Sequence, residues 1–407
     1  MMTIRDLSVR LGSLVVLRGV LRDETVVRFA AMLKAALSYS GDAAPLADAV
    51  ADFEASLLPR GENWSRVLLD IVLNDDNLCI RRSQAPEGAG DVAEGNLARD
   101  LSVLQAAGSL TLADLLASLE GGDALLHQMP LPWKVEPELV YAQAYAARRR
   151  DVPRTGYGIF ARYHVFTLED GALTPVRCPD PQRLSELPGY EREREKIIEN
   201  TKALLAGLPA ANVLLYGDAG TGKSSTVKAL ANEFKDEGLR LVEIKKNQLY
   251  QMPALMDDLA DNPLKFILFI DDLSFSSNDD NFAALKAILE GSVGGRSRNV
   301  AVYATSNRRH LVKETMSDRT AGDDIHASDT RQELMSLSAR FGLTVTFQRP
   351  DKALYESIVL DLAQRCGVQL PADQLMMRAE AFALRAGGRS PRVAKQFVEL
   401  LAGGVRL

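Results

Sequence analysis

The sequence predicts an α/β fold. A parallel five-stranded sheet is expected over residues 186–348. A mostly helical domain (1–150) and a β-rich connector (151–185) precede it, and a helical lid (349–407) follows. Three observations predict this. Apolar runs at 213–216, 240–245, 266–271, 300–305 and 343–347 have strand length, and the helical stretches between them imply parallel βαβ units. The first run leads into Gly217, Asp218, Ala219, Gly220, Thr221, Gly222, Lys223 and Ser224, the pattern G-x-x-x-x-G-K-[ST]. Val227, Leu230, Ala231 and Phe234 then recur at helical spacing, so strand, loop and helix stand in the order the pattern needs.

Each element has its own signal. In the first domain, Val26, Val27, Ala30, Leu33, Ala36 and Leu37 make one amphipathic stripe. Leu101, Leu104, Leu110, Leu112, Leu115 and Leu116 mark further helices, and the Gly- and Pro-containing stretch 83–95 is a loop. This domain shows no catalytic constellation and no solenoid repeat, so it is expected to serve interaction or assembly. Residues 158–177 alternate like two strands about the turn Glu169-Asp170-Gly171. Arg148–Arg150, just before, have the pattern of a solvated linker. From Pro350 the chain reads helical, near 351–365, 372–386 and 391–401.

The chemistry concentrates at the strand ends. Glycines in the loop let the backbone turn its N–H groups inward, and the helix N-terminus behind it favours anions. Together they suit the β- and γ-phosphates of a nucleotide. Lys223 adds a mobile charge, expected to face solvent, and the Ser224 hydroxyl suits Mg²⁺. FILFIDD (266–272) ends in two carboxylates: Asp271 beside Ser224 to hold the metal, Asp272 to orient an attacking water. AVYATSN (301–307) ends in Asn307, whose amide can reach the γ-phosphate or that water. Arg308, Arg309 and His310 follow as a cluster typical of a solvated turn. SARFGL (338–343) presents Arg340 before the fifth strand, where a guanidinium can stabilise charge developing on a phosphoryl group. In GGRSPR (387–392), Ser390 is an N-cap and Pro391 a first helical residue, which puts Arg392 in the first turn of a lid helix. Arg389 competes for the same role.

The order of phosphate loop, FIDD, ATSN, SARF and GGRSPR resembles AAA+ ATPases of the P-loop NTPase class. VLLYGDAGTGKSS, FIDDLSF, ATSNRRHL and SLSARFGL resemble, more narrowly, a bacterial family of AAA+ ATP-binding proteins known as a domain of unknown function. The resemblance covers about residues 155–400. It implies ATP and Mg²⁺ as ligands, with Gly217 to Ser225, Ser225 included, cradling the nucleotide. It makes Lys223 and Ser224 the Walker A pair and Asp271 the Walker B metal carboxylate. Asn307 becomes sensor 1, Arg340 an arginine finger and Arg392 sensor 2. LPGYERER (187–194) resembles the region that packs on adenine, which adds Gly189 and Tyr190. The resemblance also implies a homo-oligomer that remodels a protein partner held by the N-terminal domain. Two departures stand out. Asp272 occupies a position where most AAA+ proteins carry Glu, and its shorter side chain puts fast hydrolysis in doubt. KKNQLYQMPAL lacks the pattern of peptide-threading loops, and its Tyr250 is expected to be packing.

Composition bounds the alternatives. The chain has 407 residues, enough for roughly two to three domains. A net charge of −6 argues against broad coating of nucleic acid. Cys79, Cys178 and Cys366 lie far apart and form neither a disulfide framework nor a zinc pattern. No apolar run reaches membrane-spanning length and no export signal is read, so a cytoplasmic location is expected. Two other readings are carried alongside an ATPase. One is a nucleotide-gated binding module with slow or no turnover, favoured by Asp272. The other is a DNA-associated AAA+ loader, favoured by Arg308–His310. A small-molecule kinase is the least favoured.

Overall fold

A computed structural model describes residues 2–119, 121, 125, 129–273, 285, 286, 288, 289, 298–307 and 339–405. The chain forms two compact units, Met1–Arg162 and Tyr163–Leu407.

The first unit is helical: α1 (Ile4–Gly12), α2 (Glu24–Leu37), α3 (Ala44–Leu57), α4 (Trp64–Leu73), α5 (Leu78–Arg81), α6 (Asp91–Gly108), α7 (Leu112–Ala117), α8 (Tyr141–Thr155) and α9 (Ile159–Arg162). The helix ends are set locally. Asp23 accepts from Thr25 N at α2, and Thr111 with Asp114 forms a capping box at α7. An aromatic cluster fills the centre, with Phe53 edge-on to both Trp64 and Trp133 at 5.0 Å. Both indole N–H groups donate to backbone carbonyls, those of Ala107 and Leu110. The buried stripe of α2 is Val26, Phe29, Met32, Leu33 and Ala36, whereas Val27 and Leu37 are about half exposed. The expected stripe was therefore rotated: Phe29 and Met32, the larger side chains, take the inward positions. The loop expected to 95 ends at Gly90, where α6 begins.

The second unit holds a seven-stranded sheet, two strands more than expected. The strands are β1 (Val165–Glu169), β2 (Ala172–Pro175), β3 (Val213–Gly217), β4 (Leu239–Glu243), β5 (Lys265–Ile270), β6 (Val300–Ser306) and β7 (Leu343–Phe347). Their order is β2-β1-β4-β5-β6-β3-β7, parallel except for the β1–β2 hairpin. The hairpin of the expected connector thus docks on the sheet, with Val165 opposite Leu241 of β4. Phe166 and Leu168 explain this, being essentially fully buried. Left in a free connector they would expose a large apolar area to water. The central strands are continuous apolar runs, as a sheet covered on both faces requires.

Helices α10 (Glu191–Leu205), α11 (Lys223–Phe234) and α12 (Met252–Ala260) flank the sheet strands in sequence. Three more follow β7: α13 (Lys352–Arg365), α14 (Ala372–Arg385) and α15 (Pro391–Ala402). Ser390 caps α15 by accepting from Val393 N, with Pro391 in its first turn. The register puts Tyr216 opposite Ser306 and Ile270 opposite Ala304. The residues after β3, β5 and β6 therefore emerge together at one edge, where open α/β sheets bind ligands. Among the described residues, no helix is long and apolar enough to cross a membrane.

Candidate functional site

The loop after β3 is shaped by the strand beside it. A β-carbon on Gly217 would stand 2.0 Å from the Phe347 carbonyl oxygen, and Gly217 has φ 136°. Only glycine lets β7 approach this closely. The chain then folds over and starts α11 at Lys223, whose first-turn N–H groups lack intrahelical acceptors by geometry.

Lys223 is 5% exposed, which corrects the expectation of a solvent-facing charge. Its ammonium donates to the carbonyls of Gly217 (2.9 Å) and Asp218 (2.7 Å) and to Asn307 Oδ1 (3.1 Å). A charge enclosed this deeply needs such partners. Burial lowers its pKa and the Arg392 charge adds to that, while the carboxylates of Asp218, Asp271 and Asp272 oppose. Phosphate oxygens would favour the ammonium and raise the value again. Below the pKa of the free loop the lysine would be charged with or without a bound polyanion, so pH would leave affinity for that anion unchanged on its account. As pH rises through that value, binding of a polyanion would have to take up a proton, and its affinity should fall by up to about tenfold per pH unit. Calorimetric titration at alkaline pH in two buffers of different ionisation enthalpy measures the uptake. It should vanish in Lys223→Ala.

Asp271 follows β5. Its Oδ1 accepts from Ser224 Oγ (2.6 Å), Thr305 Oγ1 (2.5 Å) and Asp272 N (3.1 Å). Asp272 has φ 52°, a left-handed conformation that costs a non-glycine residue about 1–2 kcal/mol. Its N–H also donates to Thr305 Oγ1 (2.9 Å), and its Oδ1 accepts from Asn307 Nδ2 (2.9 Å). Only one orientation of the Asn307 amide satisfies both neighbours, with oxygen toward the Lys223 ammonium and nitrogen toward the Asp272 carboxylate. Lys223, Asn307 and Asp272 thus form one hydrogen-bonded chain.

These groups line a cavity of about 500 Å³, within the range of small-molecule sites. Ala219 to Ser225 form one wall, and Asp271, Asp272, Thr305 and Asn307 the floor. Pro391, Arg392 and Lys395 of α15 face them, with Leu362 of α13. Gln182, Glu186, Leu187 and Pro188 complete the lining.

Other expected residues lie elsewhere. Gly217 and Asp218 do not line the cavity; Asp218 Oδ2 accepts instead from Arg349 N (2.9 Å). Gly189 and Tyr190 are also displaced from it. Gly189 packs on Leu354 and Ile358. Tyr190 is buried, donates to the Gln348 carbonyl (2.6 Å) and lies against the Phe347 ring at a tilt of 34°. The adjacent Leu187 and Pro188 take the lining position instead. Arg392 lines the cavity, whereas Arg389 is held by Glu380 through bonds of 2.8 and 3.0 Å. Arg340 precedes β7, is partly exposed and is not among the cavity-lining residues. Arg308, Arg309 and His310 lie outside the described residues. Tyr250, expected to pack, is 67% exposed.

Sequence reasoning missed Thr305, Lys395 and the group Gln182, Glu186 and Leu362, and within the segment 187–194 it singled out Gly189 and Tyr190 rather than Leu187 and Pro188. Lys395 had a usable signal, standing three residues after Arg392 on the same helix face. Thr305 stands opposite Leu215 in the register, at a strand end already known to carry chemistry. The others come from a loop and a separate helix that no local pattern connects.

The donor set suits a hard cation and a polyanion. One hydroxyl and one carboxylate, meeting at 2.6 Å on the cavity floor, are what Mg²⁺ takes from protein when phosphates supply the rest. The proteasome-activating nucleotidase of Methanocella arvoryzae is 26% identical over 198 residues, covering 44% of this chain and 46% of that protein. The chain therefore spans less than half of that relative's length. Among solved structures, the Holliday junction branch migration motor RuvB of Thermotoga maritima matches with a TM-score of 0.37 and 16% identity, over 55% of this chain and 67% of that one. A substituted form of RuvB matches with a TM-score of 0.38 and 17% identity, over the same shares. The family described as Protein of unknown function (DUF815) matches residues 160–405, and the chain, with its phosphate loop, FIDD, ATSN and SARF in order, belongs to that AAA+ family.

Proposed function

We propose that the second unit binds Mg²⁺·ATP and hydrolyses it, coupling turnover to remodelling of a macromolecular partner. One observation carries this reading. The Ser224 hydroxyl and Asp271 carboxylate meet at 2.6 Å on the floor of a cavity walled by the phosphate loop. Loop N–H groups and Lys223 hold the β- and γ-phosphates, and Arg392 and Lys395 add positive charge from the facing side. Ser224 and Asp271 would hold Mg²⁺, which when bound would supply positive charge to the phosphate oxygens. Asp272, oriented by Asn307, accepts a hydrogen bond from the attacking water and draws off its proton. Leu187, Pro188 and Leu362 offer an apolar face to the base. The helical first unit is the part proposed to hold the partner, and assembly into an oligomer completes the site with Arg340. The three cysteines are free thiols, as a reducing compartment keeps them, and we place the protein in the cytoplasm.

Asp272 favours a second reading, a nucleotide-gated module that turns over slowly. Steady-state phosphate release by the full chain decides between them. Turnover that requires Mg²⁺ and stops with chelator supports the ATPase. Tight binding without Mg²⁺-dependent release leaves the gated module.

A further inference from the structure

We propose that Arg349 is a positioning residue that ties the phosphate loop to the turn before α15 and so sets Arg392 and Lys395 over the cavity. The proposal rests on the nucleotide reading above. Three contacts converge on this residue. Its backbone N–H donates to Asp218 Oδ2 at 2.9 Å, and neither residue lines the cavity. Its Nη2 donates to the Gly387 carbonyl at 3.4 Å. Its guanidinium also lies against Gly388, where a β-carbon would stand 2.8 Å from Nη1 and 3.0 Å from Cζ. Gly388 has φ 122°, so this position both needs glycine for its backbone and leaves room for the arginine.

The turn is held from its other end as well. Arg389 pairs with Glu380 of α14, and Arg392 N donates to the Gly220 carbonyl at 3.1 Å. The loop therefore touches the segment after β7 at two points, α15 at Gly220 through Arg392 and the turn before α13 at Asp218 through the Arg349 N–H. Arg349 lines no part of the cavity, and its side chain is exposed. Its contact with Asp218 is made by the backbone N–H, which Arg349→Ala keeps, so the substitution tests the side-chain link to the turn before α15. The link is one charged hydrogen bond at the surface, so loosening it should shift affinity by about 3- to 10-fold. Loss of the Arg392 and Lys395 contacts together sets the ceiling.

A double-mutant cycle on the full chain tests this, with Mg²⁺·ATP affinity as the readout and Arg349→Ala, Arg392→Ala and the double variant compared with the parent. The expected result is that Arg349→Ala weakens binding about 3- to 10-fold and that the double variant loses less than the two single fold-losses multiplied together, because only the share of the Arg349 effect carried by Lys395 remains once Arg392 is gone. Arg349→Lys should fall between parent and Arg349→Ala, since it keeps the charge but loses the planar fork. If Arg349→Ala does not fold, the same cycle run with Arg349→Lys decides. Additive losses, or an Arg349→Ala variant that binds like the parent, overturn the positioning role. A parent that binds no Mg²⁺·ATP overturns the nucleotide reading instead, so the two failures are distinguishable.

Discussion

Arg340→Ala protein is expected to bind Mg²⁺·ATP within about twofold of the parent and to turn it over about 10³- to 10⁵-fold more slowly, the range for a finger supplied to a phosphoryl-transfer site. The unchanged affinity follows from placement. Arg340 does not line the cavity of its own chain, so its removal should leave that cavity's ground-state contacts intact. On the proposed reading the lost turnover would arise in a neighbouring copy, where the guanidinium would meet charge that develops only in the transition state. Two results follow. Activity per subunit should rise steeply with protein concentration. Mixing Arg340→Ala with Lys223→Ala protein should restore part of the activity, because mixed interfaces pair an intact loop with an intact Arg340. Concentration-independent activity together with an inactive mixture would make Arg340 a structural residue.

The two carboxylates after β5 should separate by role. Asp271 Oδ1 is shared by the Ser224 and Thr305 hydroxyls and the Asp272 N–H. Asp271→Asn removes the charge that a divalent cation needs at that point. We expect Mg²⁺-dependent ATP affinity to fall about 10- to 100-fold, with metal-free binding little changed. Asp272 reaches the floor from the next position and faces Asn307. Asp272→Asn should keep affinity within about twofold and lose about 10²- to 10⁴-fold in turnover, the usual contribution of a general base. Equal losses of Mg²⁺·ATP affinity in both variants would contradict this division.

Much of this site was legible because its determinants are local. A β-strand, a glycine loop and a helix in sequence order define the phosphate cradle. Asp271 and Asn307 could be found because parallel strands bring their carboxyl ends to one edge whatever the loops between them do. The hairpin was legible as a hairpin, but its docking on β4 depends on where Phe166 and Leu168 find cover, which is a property of the whole fold. The burial of Lys223 has the same origin: its partners are loop carbonyls and an amide 84 residues away. Tyr190 was expected as a ligand contact because LPGYERER resembles the region that packs on adenine. Its hydroxyl instead found the Gln348 carbonyl, and that side chain turned inward. The phase of α2 was misread because Val27 and Leu37 are apolar yet outward-facing, and single exposed apolar residues are ordinary on a protein surface.

The most direct test of the account is equilibrium titration of Mg²⁺·ATP into the full chain and into Lys223→Ala, with circular dichroism to establish that the variant keeps its helical content and cooperative melting. Removing the ammonium deletes a charge-assisted contact worth about 1.5–3 kcal/mol, so affinity should fall about 10- to 100-fold while the fold persists. A folded Lys223→Ala protein that binds Mg²⁺·ATP as tightly as the parent would contradict the assignment of the loop after β3 as the nucleotide site.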